Sequence, residues 1–219
     1  MPTTSVSSDV TFKGTAPAAS AGATPADVEV NFSKNAANIA TNNGMTAVSL
    51  TTKMLAPEGA VAKIDLSLDG TGAVTSFGSD WVIVTVTIPG AYTDLKVYYN
   101  GSESQPEILS ITNDGSNTKV TFRTNHFSVF EIFKNEISVI DEAGLEKALL
   151  AGIEKINVSA TFDVNKTLII TNECSINLNG NTIKSSFTEV THIFEIKCDV
   201  SFSNGTISNE KSGGRVLNV

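Results

Sequence analysis

Residues 174–183, CSINLNGNTI, return twenty-four positions later as residues 198–207, CDVSFSNGTI. At that offset Cys174 corresponds to Cys198, Ile176 to Val200, Leu178 to Phe202, Thr182 to Thr206 and Ile183 to Ile207. A repeat of this length is the mark of units that stack, each burying an apolar row on its copy in the next. Within each copy apolar and polar residues alternate, so Cys174, Ile176 and Leu178 share one face of a strand while Ser175 and Asn177 share the other. Asn179-Gly180 and Asn204-Gly205 supply a turn in each copy. The pattern predicts short parallel strands joined by tight corners, with Cys174, Ile176 and Leu178 lying directly over Cys198, Val200 and Phe202.

The prediction extends in both directions. Ile156 and Val158 sit twenty residues ahead of Ile176 and Leu178, which indicates an earlier and shorter unit. Residues 162–164, 168–170 and 193–196 supply further strands. Ahead of them, 141–152 reads as a helix, the only one the sequence predicts. Asp141 caps its start, Leu145, Ala148 and Leu149 form an apolar stripe, and Gly152 ends it. Its expected role is to cover the first unit's apolar surface and open strand edges. Residues 134–140 are expected to be a junction.

From 28 to 134 the pattern is different. Val28, Val30 and Phe32 alternate with polar neighbours, as do Ile64, Leu66 and Leu68, and as do Val82, Val84, Val86 and Ile88. Strands recur at intervals near ten residues, separated by Asp69-Gly70, Pro89-Gly90, Asn100-Gly101 and Asn113-Asp114-Gly115. That rhythm predicts an antiparallel β-sandwich. Before it, Val10-Thr11-Phe12 is a weak edge-strand candidate. Residues 14–27 are almost wholly Gly, Ala, Ser, Thr and Pro. Little apolar area is there to offset ordering entropy, so 1–27 is expected to be a flexible N-terminal segment. The fold class is therefore all-β, an antiparallel sandwich (28–134) followed by a capped, short run of parallel coils (135–219).

Two segments carry resemblances. DLKVYYNGS (94–102), NTKVTFRT (117–124) and NHFSVFEIF (125–133) together resemble the closing strands of immunoglobulin-like modules found in bacterial cell-surface and S-layer-associated proteins. Residues 137–207, with INVSATF, SINLNGNTI and VSFSNGTIS, resemble the opening of a right-handed parallel β-helix of the pectin-lyase-like type. The first resemblance implies a spacer or display module outside a bacterium and brings no catalytic residue. The second implies a fold whose enzymes act on polysaccharides through acidic and basic groups placed along several middle coils. Those coils are absent from this sequence, so a longer parent protein is expected.

Composition narrows the partners. The chain of 219 residues has a net charge of −8 and 17% charged residues. No clustered Lys and Arg stripe of the kind phosphate backbones require is present, so no nucleic-acid partner is expected. No apolar run approaches the roughly 18 residues of a membrane span. MPTTSVSSDV has neither a basic n-region nor an apolar h-region, so no signal peptide is expected here and Met1 is expected to precede an interior segment. With two cysteines the chain is neither a disulfide scaffold nor a metal cluster. Cys174 and Cys198 are expected to be stacked, buried thiols acting as small hydrophobes, with a bridge between them as the alternative.

Candidate chemistry is sparse. His126 and His192 lack a Cys, Ser or Asp at motif spacing and read as strand-end residues. Asp65, Asp69 and Asp80 are loop-side carboxylates without the spacing of a calcium loop. No cofactor is expected. The two candidate ligand platforms are Trp81 and Tyr98, aromatic residues on the less apolar faces of their strands. These readings together lead to the expectation of an extracellular, non-catalytic adhesion or display module, with a host or environmental glycan or protein as partner. The alternatives are a fragment of a carbohydrate-active β-helix enzyme, or a structural envelope component.

Overall fold

The computed structural model describes residues 8–42, 49–57, 59–69, 76–101, 105–187, 191–210 and 214–218. The chain divides into two compact units, Met1–Phe133 and Lys134–Val219. It is predominantly β throughout.

In the first unit the elements are β1 (Val10–Ala16), β2 (Ala26–Phe32), α1 (Lys34–Asn42), β3 (Ser49–Leu55), β4 (Ala62–Asp69), β5 (Val82–Pro89), β6 (Leu95–Tyr99), β7 (Glu107–Asn113), β8 (Asn117–Thr124) and β9 (Val129–Lys134). One sheet has the order β1-β2-β5-β8-β7 and runs antiparallel throughout. The other has the order β3-β4-β9-β6, with β3–β4 and β4–β9 antiparallel. Inward residues of both sheets, among them Val84, Phe122, Ile64 and Phe130, form a single core. Edge-to-face contacts link Phe32, Phe77 and Phe127 within it, the last two with ring centroids 5.1 Å apart. The alternation of β5 is realised in full: Val82, Val84, Val86 and Ile88 are buried while Ile83, Thr85 and Thr87 face outward. At the β7–β8 turn Asp114 Oδ1 accepts from the backbone N–H groups of Asn117 and Ser116, at 2.7 and 2.9 Å. Those donors hold its carboxyl below the usual range.

Two expectations are corrected here. The segment 1–27 is not a flexible lead where it is described. β1 pairs with β2 over its whole length, Ala16 is fully buried, and the following loop is bonded to β3 through Met54 N to Pro17 O and Ala19 N to Met54 O. Backbone hydrogen bonds and small side chains that fit close to the core replace the large apolar groups this stretch lacks. The second correction is α1, a helix the sequence reading missed. Ser33 caps it through its hydroxyl to Ala36 N, and Ala36, Ala37 and Ala40 are buried. Ala36, Ala37 and Ala40 recur at helical spacing among polar residues, a period that the sequence carries between two strand patterns.

In the second unit the elements are β10 (Glu136–Val139), α2 (Glu142–Leu150), β11 (Lys155–Val158), β12 (Phe162–Asp163), β13 (Leu168–Ile170), β14 (Cys174–Asn177), β15 (Thr182–Ser185), β16 (His192–Ile196), β17 (Val200–Ser203), β18 (Thr206–Asn209) and β19 (Arg215–Asn218). They form three parallel sheets, β10-β11-β14-β17, β12-β15-β18 and β13-β16-β19. From β11 onward the chain visits the three sheets in turn, three times over. β10 is a further correction, because the expected junction supplies the first strand, with Val139 buried and Ile137 beside Ile156. Asp141 Oδ1 accepts from Gly144 N at 2.8 Å, and Leu145, Ala148 and Leu149 are buried. Gly152, at φ 65°, closes α2 with Gly152 N to Leu149 O and Ile153 N to Ala148 O.

The stacking differs from the one the repeat suggests. Ile156 lies beside Ile176 as expected. Ile176, however, lies beside Phe202 and Cys174 beside Val200, so Cys174 does not face Cys198 and Leu178 does not face Phe202. Thr182 and Ile183 still meet Thr206 and Ile207. The offset is therefore twenty-six residues before the corner and twenty-four after it. Four residues, Leu178 to Asn181, make the corner in one circuit, and only Asn204 and Gly205 make it in the next. Asn179 and Gly180 both take positive φ, 49° and 81°, whereas in the shorter corner only Asn204 does, at 55°.

Candidate ligand platform

The outward face of the five-stranded sheet carries a row that crosses every strand: Thr11, Asn31, Ile83, Arg123 and Glu107 are successive lateral neighbours. Each belongs to a strand whose other face packs on the core, fully in β2, β5 and β8 and partly in the edge strands β1 and β7, so the alternation aims these side chains away from it. Trp81 precedes β5 by one residue and stands on the same side as Ile83. The Arg123 guanidinium lies over the indole, 4.7 Å from its centroid. Arg123 Nε donates to Glu107 Oε2 at 2.8 Å and Nη2 donates to the same oxygen. Trp81 is half-buried. Ile83 is 40% exposed, beside the stack.

The next row along the strands is Lys13, Glu29, Thr85, Thr121 and Ser110. Lys13 pairs with Glu29 at 2.9 Å, and the Thr85 and Thr121 hydroxyls are 3.0 Å apart. A third row holds Asp27 and Lys119 on either side of Thr87. The six charges in these rows are three of each sign, so this face is neutral in a chain whose net charge is −8.

Of the two sequence candidates, the structure places only Trp81 on an accessible face. Tyr98 is 3% exposed and its hydroxyl donates to Asn100 Oδ1 at 3.2 Å, so it offers no open ring. Arg123, which lies over Trp81, and Glu107, which holds Arg123, were missed. The alternation in NTKVTFRT puts Arg123 outward, but the order β5-β8-β7 that brings all three together is a property of sheet assembly.

The remaining candidates lie elsewhere. His126 is buried, with its ring 4.1 Å from that of Tyr99 and Nδ1 3.0 Å from Asn125 Oδ1. His192 stands in β16 beside Arg215, with Nδ1 3.1 Å from Thr191 Oγ1. Cys174 and Cys198 are free thiols, and Cys198 Sγ is 3.6 Å from Ile170 O. Desolvation, with a smaller contribution from Cys198, pushes the Cys174 thiol up to about 11. Val200 and Phe202 are half-buried, with the Phe202 ring 5.1 Å from that of Phe194. Among the described residues no group of three or more His, Cys, Asp or Glu side chains is placed to hold a metal ion. Nor is any helix among them long and apolar enough to cross a membrane. A cavity of about 140 Å³ at one end of the first unit is lined by Ala26, Met54, Val61, Ala62 and Ile88.

No protein-family model matches the chain, and neither a curated protein nor a solved structure matches it.

Proposed function

We propose that this chain is a non-catalytic module of a bacterial cell surface that serves adhesion or display. In this reading the first unit is an immunoglobulin-like β-sandwich that acts as spacer and binding face. The second is the capped opening of a right-handed parallel β-helix. The observation that carries the reading is the lateral stacking of β10, β11, β14 and β17. It supports a rod that lengthens by repeating one unit, with Ile156, Ile176 and Phe202 in the inner column. Outward, the same strands present Ser138, Asn157, Asn177 and Ser203 in one column and Glu136, Lys155, Ser175 and Ser201 in the other. Among these eight there is one carboxylate, Glu136, and one cation, Lys155, whereas glycoside cleavage uses a pair of carboxyl groups separated by roughly 5 to 10 Å.

The test is incubation of the chain with a panel of soluble polysaccharides. Slowed migration in gels containing a polysaccharide is expected, with no new reducing or unsaturated ends in the same samples. Product formation would instead favour the carbohydrate-active enzyme, and an unretarded chain would favour a structural envelope component.

A further inference from the structure

We infer that the outward face of the five-stranded sheet around Trp81 binds a neutral polysaccharide, a ligand class that rests on the adhesion reading above and narrows it. Three observations on one face carry the inference. The first is apolar surface where a sugar ring needs it. Ile83, 40% exposed, and the part of half-buried Trp81 that the Arg123 guanidinium leaves uncovered lie on this face and can take the C–H face of a pyranose, with the indole N–H as a donor to a ring hydroxyl.

The second is the state of Arg123 and Glu107. Nε and Nη2 of the guanidinium converge on Oε2 of Glu107, which leaves Nη1 as a donor and Oε1 as an acceptor. A donor and an acceptor held on one face can each meet a hydroxyl of a sugar chain lying along it. The pair's charges cancel, so it offers hydrogen bonds without a net field for an anion. The guanidinium is held in place from two sides, by the indole and by the carboxylate, so little side-chain entropy remains to be lost on binding.

The third is the charge balance of the whole face. Lys13, Arg123 and Lys119 offset Glu29, Glu107 and Asp27. With the rest of the chain acidic, a uronate polymer approaching this face gains no local attraction and meets long-range repulsion. A neutral chain meets neither. The adjoining Thr85 and Thr121 hydroxyls continue the polar surface along the strands, as an extended ligand requires.

Trp81 is the sole tryptophan in the chain, so its emission reads this site in the unmodified protein. The experiment titrates the full chain with a soluble neutral β-glucan and, separately, with polygalacturonate, following tryptophan emission and gel retardation together. The neutral polymer is expected to shift and quench the emission at the concentrations that retard migration, and polygalacturonate to do neither. W81A is expected to bind the neutral polymer about tenfold more weakly, with an unchanged far-UV spectrum. R123Q and E107Q, which keep the indole, are expected to weaken binding as well. Retardation without any change in emission, or undiminished in folded W81A, overturns this site while leaving the adhesion reading intact. Preference for polygalacturonate overturns the ligand class. Failure of every polysaccharide in the panel to bind overturns both the inference and glycan adhesion.

Discussion

The two units solve the same problem, burying apolar rows from short strands, by opposite routes. In Met1–Phe133 a strand's neighbours are far away in sequence: β5 lies between β2 and β8, with fifty residues separating Phe32 from Val82 in the chain. In Lys134–Val219 a strand's neighbour is the one a single circuit later, and the spacing varies from nineteen residues between Glu136 and Lys155 to twenty-six between Cys174 and Val200. The antiparallel unit can tolerate loops of any length at its strand ends, because each pairing is set by its own turn and by which face is apolar. In the parallel unit a corner can also lose two residues, as 204–205 does against 178–181, and the strands on either side still pair with the same face inward. Each sheet of the second unit therefore keeps its own offset, and similarity of sequence alone does not give it.

The largest expected effect breaks the stacked column directly. Leu178 is 2% exposed, and Leu178→Asp puts a charge between successive circuits, which should cost several kcal/mol and remove amide protection throughout Lys134–Val219. Thr85→Asp, on the outward face of β5, should cost within about 1 kcal/mol. Hydrogen exchange on peptides from each unit separates the two outcomes, and comparable losses from both would undo the assignment of faces.

A second pair of substitutions sharpens the corner. A methyl group at Gly205 would lie 2.3 Å from Leu178 Cβ and 2.5 Å from Asn181 O, so Gly205→Ala should cost about 1 to 3 kcal/mol. At Gly180 a Cβ meets nothing within 4 Å, and only its φ of 81° opposes the change, so Gly180→Ala should cost about 1 kcal/mol. Chemical denaturation of the two variants measures the difference. Equal losses would mean that the shorter corner does not pack beneath Leu178.

The smallest effect is a pH dependence confined to the second unit. Because the folded Cys174 thiol titrates near 11 and an unfolded one near roughly 8.5, the unfolded chain releases its proton first. Stability from this group is complete below the unfolded value and is lost as pH rises toward the folded one. The partial exposure of Cys174 keeps the change small. Melting curves recorded between pH 8 and pH 11 should show a decline that Cys174→Ala lacks.

Much of this architecture was legible from residue order. The alternation in VIVTVTI gave the buried face of β5 residue by residue, and the Asp141, Leu145, Leu149 and Gly152 pattern gave α2 with both its ends. The match of Ile156 to Ile176 gave one parallel pairing. The match of Cys174 to Cys198 misled, because similarity between two copies aligns letters, whereas stacking aligns strands whose corners differ by two residues. α1 was passed over although Ala36, Ala37 and Ala40 repeat at helical spacing. Of β1 only residues 10–12 were legible, because Lys13, Gly14 and Thr15 are exposed and carry no apolar alternation.

For the candidate site the division is sharper. Sequence determined that Trp81, Ile83 and Arg123 face away from the core, because that follows from a two-residue period within each strand. Only the tertiary structure decided that Arg123 stacks on Trp81 and grips Glu107, and that Tyr98 is enclosed, because neighbours across a sheet are chosen by the order in which distant strands assemble. Periodicity is a property of a segment; adjacency is a property of the assembled sheet.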